Sequence, residues 1–220
     1  MLVFAHRGYH HAVPQNTMQA FEAALRAGAN AIETDVRLSR DGEAVIIHDR
    51  LTPVQHPVAE LSRAEIERDV GHPVPLLEEV LDAFPDVLWD VEIKNPEAAE
   101  PAFAILKRYL GKRRLLVTSF RHDVIHACAQ TLDVDCGLIS FSRPRDATAM
   151  MNEWTDDKRV RTLAWDYGAI DEPLLAEVTQ AGWKNYVWGL KTRAEHERCI
   201  ALGVDAIVTD YLEFVLPRVG

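Results

Sequence analysis

Glu33 and Asp35 stand two residues apart in the run Ala31-Ile32-Glu33-Thr34-Asp35-Val36, and His48 closes the next apolar run, Ala44-Val45-Ile46-Ile47-His48. Residues two apart in a strand share a face, so both carboxylates point the same way. Asp41-Gly42 between two alternating runs is a strong hairpin signal. A turn centred on that pair sets His48 directly across from Asp35, with Glu33 two residues along. One face of such a hairpin must be buried and should be apolar. Two carboxylates and an imidazole on it suit cation binding or proton transfer instead.

Other strand ends carry matching groups. His6 and Arg7 follow the apolar run Leu2-Val3-Phe4-Ala5, and Glu92 and Lys94 close the run that starts at Val87. Glu33, Asp35 and Glu92 offer hard oxygen donors, which repel and raise one another's pKa when crowded without a cation. Mg2+ or Ca2+ relieves that repulsion, with Mn2+ a further candidate, whereas Zn2+ would favour His and Cys. The competing reading is a salt-bridge network with Arg7, Lys94 or Arg37. His6 and His48 are metal ligands, core histidines, or an acid–base pair, since imidazole titrates near neutrality. Arg7 and Lys94 supply the fixed positive charge that a phosphoryl oxygen requires. Together the groups describe metal-assisted phosphodiester cleavage, one histidine activating the nucleophile and the other protonating the leaving oxygen. Gln15, Ser119, Trp188 and Lys191 are candidates for the substrate rim, and so are His10 and His11. Most of the remaining histidines are expected on the surface.

The elements that must position these groups follow a steady rhythm. Strand candidates at Leu115 to Ser119, Cys136 to Ile139, Arg161 to Trp165, Asn185 to Trp188 and Ala206 to Thr209 alternate with helical stretches near 97–110, 121–131, 145–153, 171–181, 192–202 and 211–217. With the strands of Leu2, Glu33 and Glu92 these make eight parallel candidates. Residues 44–48 are a surplus strand, and the link from Val36 to Ala44 is too short for a parallel crossover. A TIM (β/α)8 barrel therefore emerges, with an antiparallel β-hairpin extension after the second strand. An open doubly wound sheet competes, but no Gly-rich fingerprint follows the first strand. Asn16 or Thr17 caps a helix over Ala20 to Leu25, and Leu76 to Phe84 forms another. Residues 50–75, with a short helix around Leu61 to Val70, form an excursion from the barrel.

At 220 residues, with no Ser/Gly linker or charge block, residues 1–220 read as a single domain. The formal net charge of −10 argues against a nucleic-acid partner. No apolar run is long enough for membrane insertion, and no basic region precedes the first strand, so a cytoplasmic protein is expected. Cys128, Cys136 and Cys199 share no metal-type spacing and read as reduced core thiols. Nothing in the sequence marks an oligomeric state.

The ordered series His6-Arg7-Gly8, Pro14-Gln15-Asn16-Thr17, Gly28 to Val36, Asp41-Gly42, His48-Asp49, Pro75 to Leu81, Glu92-Ile93-Lys94, Ser119-Phe120 and Gly203 to Asp210 resembles the glycerophosphodiester phosphodiesterase family over nearly the whole chain. The resemblance implies a TIM barrel that hydrolyses a small-molecule glycerophosphodiester to glycerol 3-phosphate and an alcohol. It also implies a divalent cation on Glu33, Asp35 and Glu92, His6 and His48 as the acid–base pair, and Arg7 and Lys94 on the phosphate. Attack by water, or by the substrate's own 2-hydroxyl through a cyclic phosphate, are both open.

Three departures bear on specificity. Gln15 stands where the family usually has Glu, Leu51 to His56 replaces an Arg-Thr-Thr element, and Val187-Trp188-Gly189-Leu190-Lys191 replaces Val-Trp-Thr-Val-Asn. Lysophospholipids or a sugar phosphodiester are alternative substrates of the same chemistry. A non-catalytic phosphate-binding barrel is the alternative from another class, and its mark would be a lost ligand or histidine. An amidohydrolase would want His-x-His after the first strand, where this chain has His6-Arg7-Gly8.

Overall fold

In the computed structural model, which describes residues 1–154 and 156–216, β1 (Leu2–His6) runs into a tight loop before α1 (Met18–Arg26). Thr17 caps α1 by accepting from the Ala20 N–H at 3.2 Å, while Ala20, Phe21 and Ala24 face the core. Gly8 permits the loop's close approach to this helix: its φ is +81°, and a Cβ there would lie 2.6 Å from the Ala20 carbonyl carbon.

The chain then forms β2 (Ala31–Leu38) and β3 (Ala44–Ile46), followed by α2 (Arg63–Val70) and α3 (Leu77–Ala83). Strands β4 (Leu88–Ile93), β5 (Arg114–Ser119), β6 (Asp135–Ser140), β7 (Val160–Asp166), β8 (Lys184–Trp188) and β9 (Ala206–Thr209) complete the sheet. Between them lie α4 (Ala99–Tyr109), α5 (His122–Thr131), α6 (Ala147–Asn152), α7 (Glu172–Gln180) and α8 (Arg193–Ala201). Neighbouring strands follow the order β1-β9-β8-β7-β6-β5-β4-β2, and β1 pairs in parallel with β2 to close the ring. The result is the expected eight-stranded parallel barrel with helices outside.

β3 is the surplus strand and pairs antiparallel with the end of β2, but the register differs from the sequence expectation by one residue. Val36 faces Ile46 and Arg37 faces Val45, and the Ile47 N–H donates to the Asp35 carbonyl at 3.0 Å. His48 therefore does not stand across from Asp35. The reason is the loop: Arg40-Asp41-Gly42 is closed by Ser39 N–H to the Glu43 carbonyl at 3.0 Å, with Gly42 at φ +81°. A three-residue loop with its glycine in the left-handed region replaces the two-residue turn. β3 also ends at Ile46, short of His48.

The helix expected at 211–217 is a 3-10 turn at Leu212–Phe214, and residue 217 lies outside the described residues. Residues 50–75 leave the barrel as expected, and Val58, Ile66 and Val74 pack with Val45 as a satellite core under the excursion. No described helix is long and apolar enough to cross a membrane.

Candidate active site

Parallel registry brings the acidic side chains together at the C-terminal ends of the strands. His6 of β1 pairs with Glu33 of β2, and Glu33 and Asp35 pair with Asp90 and Glu92 of β4. Alternation turns all of these inward on one side of their strands. Glu33, Asp35 and Glu92 are buried, and one oxygen from each lies within 4.8 Å of the others.

Two cations face this cluster. Arg7 Nε lies 3.1 Å from Asp35 Oδ2, and Lys94 Nζ lies 3.2 Å from Asp35 Oδ1 and 2.6 Å from Glu92 Oε1. The salt-bridge reading is thus correct for Arg7 and Lys94, while Arg37 turns away and donates from Nε to the His48 carbonyl at 2.7 Å. The cations do not saturate the cluster. Glu33 Oε1 is buried with no partner among the described residues, and there the Lys94 ammonium is the one cation set against both Asp35 Oδ1 and Glu92 Oε1. Orphaned buried carboxylate oxygens are rare and costly, and converging lone pairs are what a hard divalent ion binds.

Electrostatics agree with this geometry. Burial, then the charges of Asp35 and Glu92, push Glu33 well above the usual carboxylate range. Burial and the charge of Asp35 push Glu92 up to about 7 against the pull of Lys94. Burial acts on Asp35 in the same sense, but Lys94 and Arg7 outweigh it and hold Asp35 below its ordinary value. Lys94 is raised, since Asp35 and Glu92 overcome its desolvation. Glu33 and Glu92 thus favour protons in the absence of a stronger cation, while Asp35 stays charged beside Lys94 and Arg7.

The loop after β1 is shaped to serve the cluster. Asn16, at φ +58°, donates from Nδ2 to Asp35 Oδ2 at 2.7 Å and accepts from the Thr34 hydroxyl at 2.8 Å. Arg7, at φ +57°, donates its N–H to the Glu33 carbonyl at 2.9 Å. Two non-glycine residues in the left-handed region within one loop are backbone strain held at a site. Asn16 orients a carboxylate, and Thr17 alone is the helix cap.

A cavity of about 370 Å³ opens above the cluster, and His6, Arg7, Gln15, His48, Lys94, Trp188 and Lys191 all line it. His6 Nδ1 lies 2.6 Å from Asp210 Oδ1 and His48 Nδ1 lies 2.8 Å from Asp49 Oδ1. Burial lowers both imidazole pKa values, against the opposing carboxylates. Gln15 accepts from Arg7 Nη1 at 3.0 Å. His48 reaches the cavity because the chain bends inward after β3, so the ladder does not place it.

Ser119 departs from its expected position. It is fully buried, donates to the Ile93 carbonyl at 2.6 Å and accepts from the Arg121 N–H, so it ties β5 to β4 away from the rim. Its neighbour Phe120 lines the cavity instead, stacked 4.5 Å from Phe141, with Trp188 edge-on to both at 5.7 and 4.9 Å. His196, expected on the surface, is fully buried between the Thr192 carbonyl and the Thr209 hydroxyl, each at 2.7 Å.

Asp90 is a buried carboxylate that motif reading passed over. It accepts from the Thr118 hydroxyl at 2.6 Å, and burial raises its pKa to about 7. The period of two in Leu88-Trp89-Asp90-Val91-Glu92 was the available signal, since it puts Asp90 on the face of Glu92. Phe141 had no such signal, because it lies in a loop.

Known proteins are similar to this chain along nearly its whole length. The model of the glycerophosphoryl diester phosphodiesterase family matches residues 6–214. The chain is 30% identical to a glycerophosphodiester phosphodiesterase of Caldanaerobacter subterraneus subsp. tengcongensis, over 95% of this chain and 93% of the relative. A solved glycerophosphodiester phosphodiesterase from Thermotoga maritima superposes with a TM-score of 0.83 at 25% identity, covering 97% of this chain and 96% of that one. A phosphodiesterase from Oleispira antarctica, solved in complex with the product sn-glycerol-3-phosphate, shares the fold with a TM-score of 0.87 at 20% identity, covering 97% and 95%.

Proposed function

The chain belongs to the glycerophosphoryl diester phosphodiesterase family, and on that premise we propose that it hydrolyses glycerophosphodiesters to glycerol 3-phosphate and an alcohol at the barrel mouth. The observation that carries this reading is the trio of buried carboxylates with oxygens converging within 4.8 Å, Glu33 Oε1 among them without a partner in the described residues, below a cavity lined by two imidazoles. Their donor set fits a hard divalent ion, so Glu33, Asp35 and Glu92 would hold Mg2+ or Ca2+, with Mn2+ a further candidate. When bound, such an ion supplies positive charge to the nonbridging phosphoryl oxygens.

The chain's own residues do the rest. Arg7 and Lys94 bind and orient the phosphate through charge-assisted hydrogen bonds. His6 and His48 move the protons: one takes a proton from the attacking water or substrate hydroxyl, and the other gives one to the leaving oxygen. Their Nδ1 atoms are engaged by Asp210 and Asp49, which leaves Nε2 of each for the substrate. Three free, buried thiols accord with a cytoplasmic setting.

Phosphorus NMR of glycerophosphocholine turnover, run after chelation and again with each metal restored, tests the reading. Glycerol 3-phosphate should form only when a divalent ion is present, and a cyclic phosphate signal would identify attack by the substrate's own hydroxyl. His48→Ala should lose about 10²–10⁴-fold in kcat. Phosphocholine as the product, or full turnover in the chelated protein, overturns the reading.

A second substrate class is favoured by one observation, the aromatic wall of Phe120, Phe141 and Trp188, in which Phe141 is 67% exposed. That surface suits the apolar part of a lysophospholipid.

A further inference from the structure

The two imidazoles at the cavity are held differently. His48 shares its Nδ1 with Asp49, the next residue in the chain, whose side chain is 68% exposed. His6 shares its Nδ1 with Asp210, 204 residues away and largely enclosed. We propose that Asp210 is the positioning residue of His6: it fixes the ring and its tautomer so that Nε2 meets the substrate, and it is itself locked in place by His10 and Lys191. The proposal rests on the reading that His6 exchanges a proton with the substrate.

A carboxylate only accepts, so the neutral His6 ring carries its proton on Nδ1 and keeps a lone pair on Nε2. Nε2 then lies 3.9 Å from Glu33 Oε2, over the carboxylate cluster. Asp210 arrives opposite His6 because β9 pairs in parallel with β1, Thr209 facing Ala5. The backbone around it is pinned on both sides. The Thr209 hydroxyl meets His196 Nε2 at 2.7 Å and accepts from the Tyr211 N–H at 2.9 Å.

The carboxylate is also held from the rim. Asp210 Oδ1 accepts from His10 Nε2 at 3.1 Å, and Oδ2 lies 3.7 Å from Lys191 Nζ. Burial acts to raise the Asp210 pKa, yet the hydrogen bonds from His10 and His6 carry it far below the usual carboxylate range. Both imidazoles share Oδ1 while the Lys191 charge faces Oδ2, so the carboxylate is restrained from two directions and transmits that restraint to His6. Among the described residues His48 has no equivalent of this lock.

Nitrogen-15 NMR of the histidine rings reads the tautomer without recourse to turnover. In the unaltered protein the neutral His6 ring should carry its proton on Nδ1. In Asp210→Asn, whose amide can also donate, the proton should shift towards Nε2, and kcat should fall about 10²-fold or more with KM little changed. Asp210→Glu should recover part of both. His10→Phe removes one lock at the rim and should give a smaller fall in kcat with tautomer drift in the same direction. An unchanged His6 tautomer and kcat in Asp210→Asn overturn the positioning role, and both unchanged in His10→Phe overturn the locking. His6→Ala separates the two levels. Full activity there removes the acid–base reading itself, whereas an inactive His6→Ala beside a fully active Asp210→Asn removes only the proposal made here.

Discussion

The N-terminal and C-terminal halves of the barrel interior are built from the same strands and the same alternate positions, yet they carry opposite chemistry. β2 passes inward from Ala31 to Glu33 to Asp35, and β4 from Leu88 to Asp90 to Glu92. At the N-terminal half, Phe4, Ala31, Leu116, Tyr186 and Ala206 belong to one apolar cluster inside the ring, with Phe4 and Tyr186 5.6 Å apart. Two residues further along β2 and β4, Glu33 and Asp90 take the places of Ala31 and Leu88, while β1 and β5 present His6 and Thr118. Registry and alternation dictate which positions face inward and are indifferent to what stands there. The apolar half and the outer core must therefore offset the cost of burying charge at the other end.

Substitutions in the two halves should separate stability from chemistry. Phe4→Ala should cost about 3–5 kcal/mol of stability, read by urea unfolding, and leave divalent-ion binding intact in the folded fraction. Glu33→Gln should do the reverse. It abolishes turnover and ion binding, while the metal-free protein keeps or gains stability, because it exchanges a carboxyl that burial already drives towards its neutral form. Loss of ion binding in Phe4→Ala, or a large loss of metal-free stability in Glu33→Gln, would erase the distinction.

A smaller effect should appear with pH. Glu92 and Asp90 have folded-state values of about 7, above their ordinary 4.5 and 3.8. The folded metal-free protein therefore binds more protons than the unfolded chain between those limits, so this contribution to stability falls as pH rises from about 4 towards 7. Thermal unfolding of chelated protein should show the decline, Glu92→Gln should flatten it, and a divalent ion should reverse it. A metal-free Tm whose slope over this window is identical in Glu92→Gln counts against it. The smallest change is expected at the rim. Phe141→Ser should leave Tm nearly unchanged and weaken diesters of apolar alcohols by about 1–2 kcal/mol in kcat/KM, sparing those of polar alcohols. Equal loss for both alcohol classes removes the apolar wall from substrate selection.

The strand rhythm was legible because each barrel strand is a short apolar run followed by a helical stretch, and local pattern suffices for that. Glu33, Asp35 and Glu92 were legible because strand ends and a period of two place them without tertiary knowledge. His48 was identified for a geometry it does not have. Its arrival at the cavity depends on Gly42 selecting an odd-length loop and on the bend after Ile46, and neither is encoded by alternation. Ser119 and Phe120 were exchanged because a one-residue choice at a strand end decides which side chain faces inward. Asn16 shared the cap reading with Thr17, and its reach to Asp35 accompanies a left-handed φ that no local pattern announces.

Closure of the ring by β1 and β9 has a consequence for biosynthesis. The ribosome delivers His6 204 residues before Asp210, so the nascent chain carries an unsealed sheet and an unoriented imidazole until the last strand emerges. Joining the first strand to the last is the longest loop to be closed, and its entropy must be overcome before the contacts that reward it exist. On the proposed reading catalytic competence is therefore a late event in the life of the chain, and a prematurely terminated product lacking β9 should show no diester turnover.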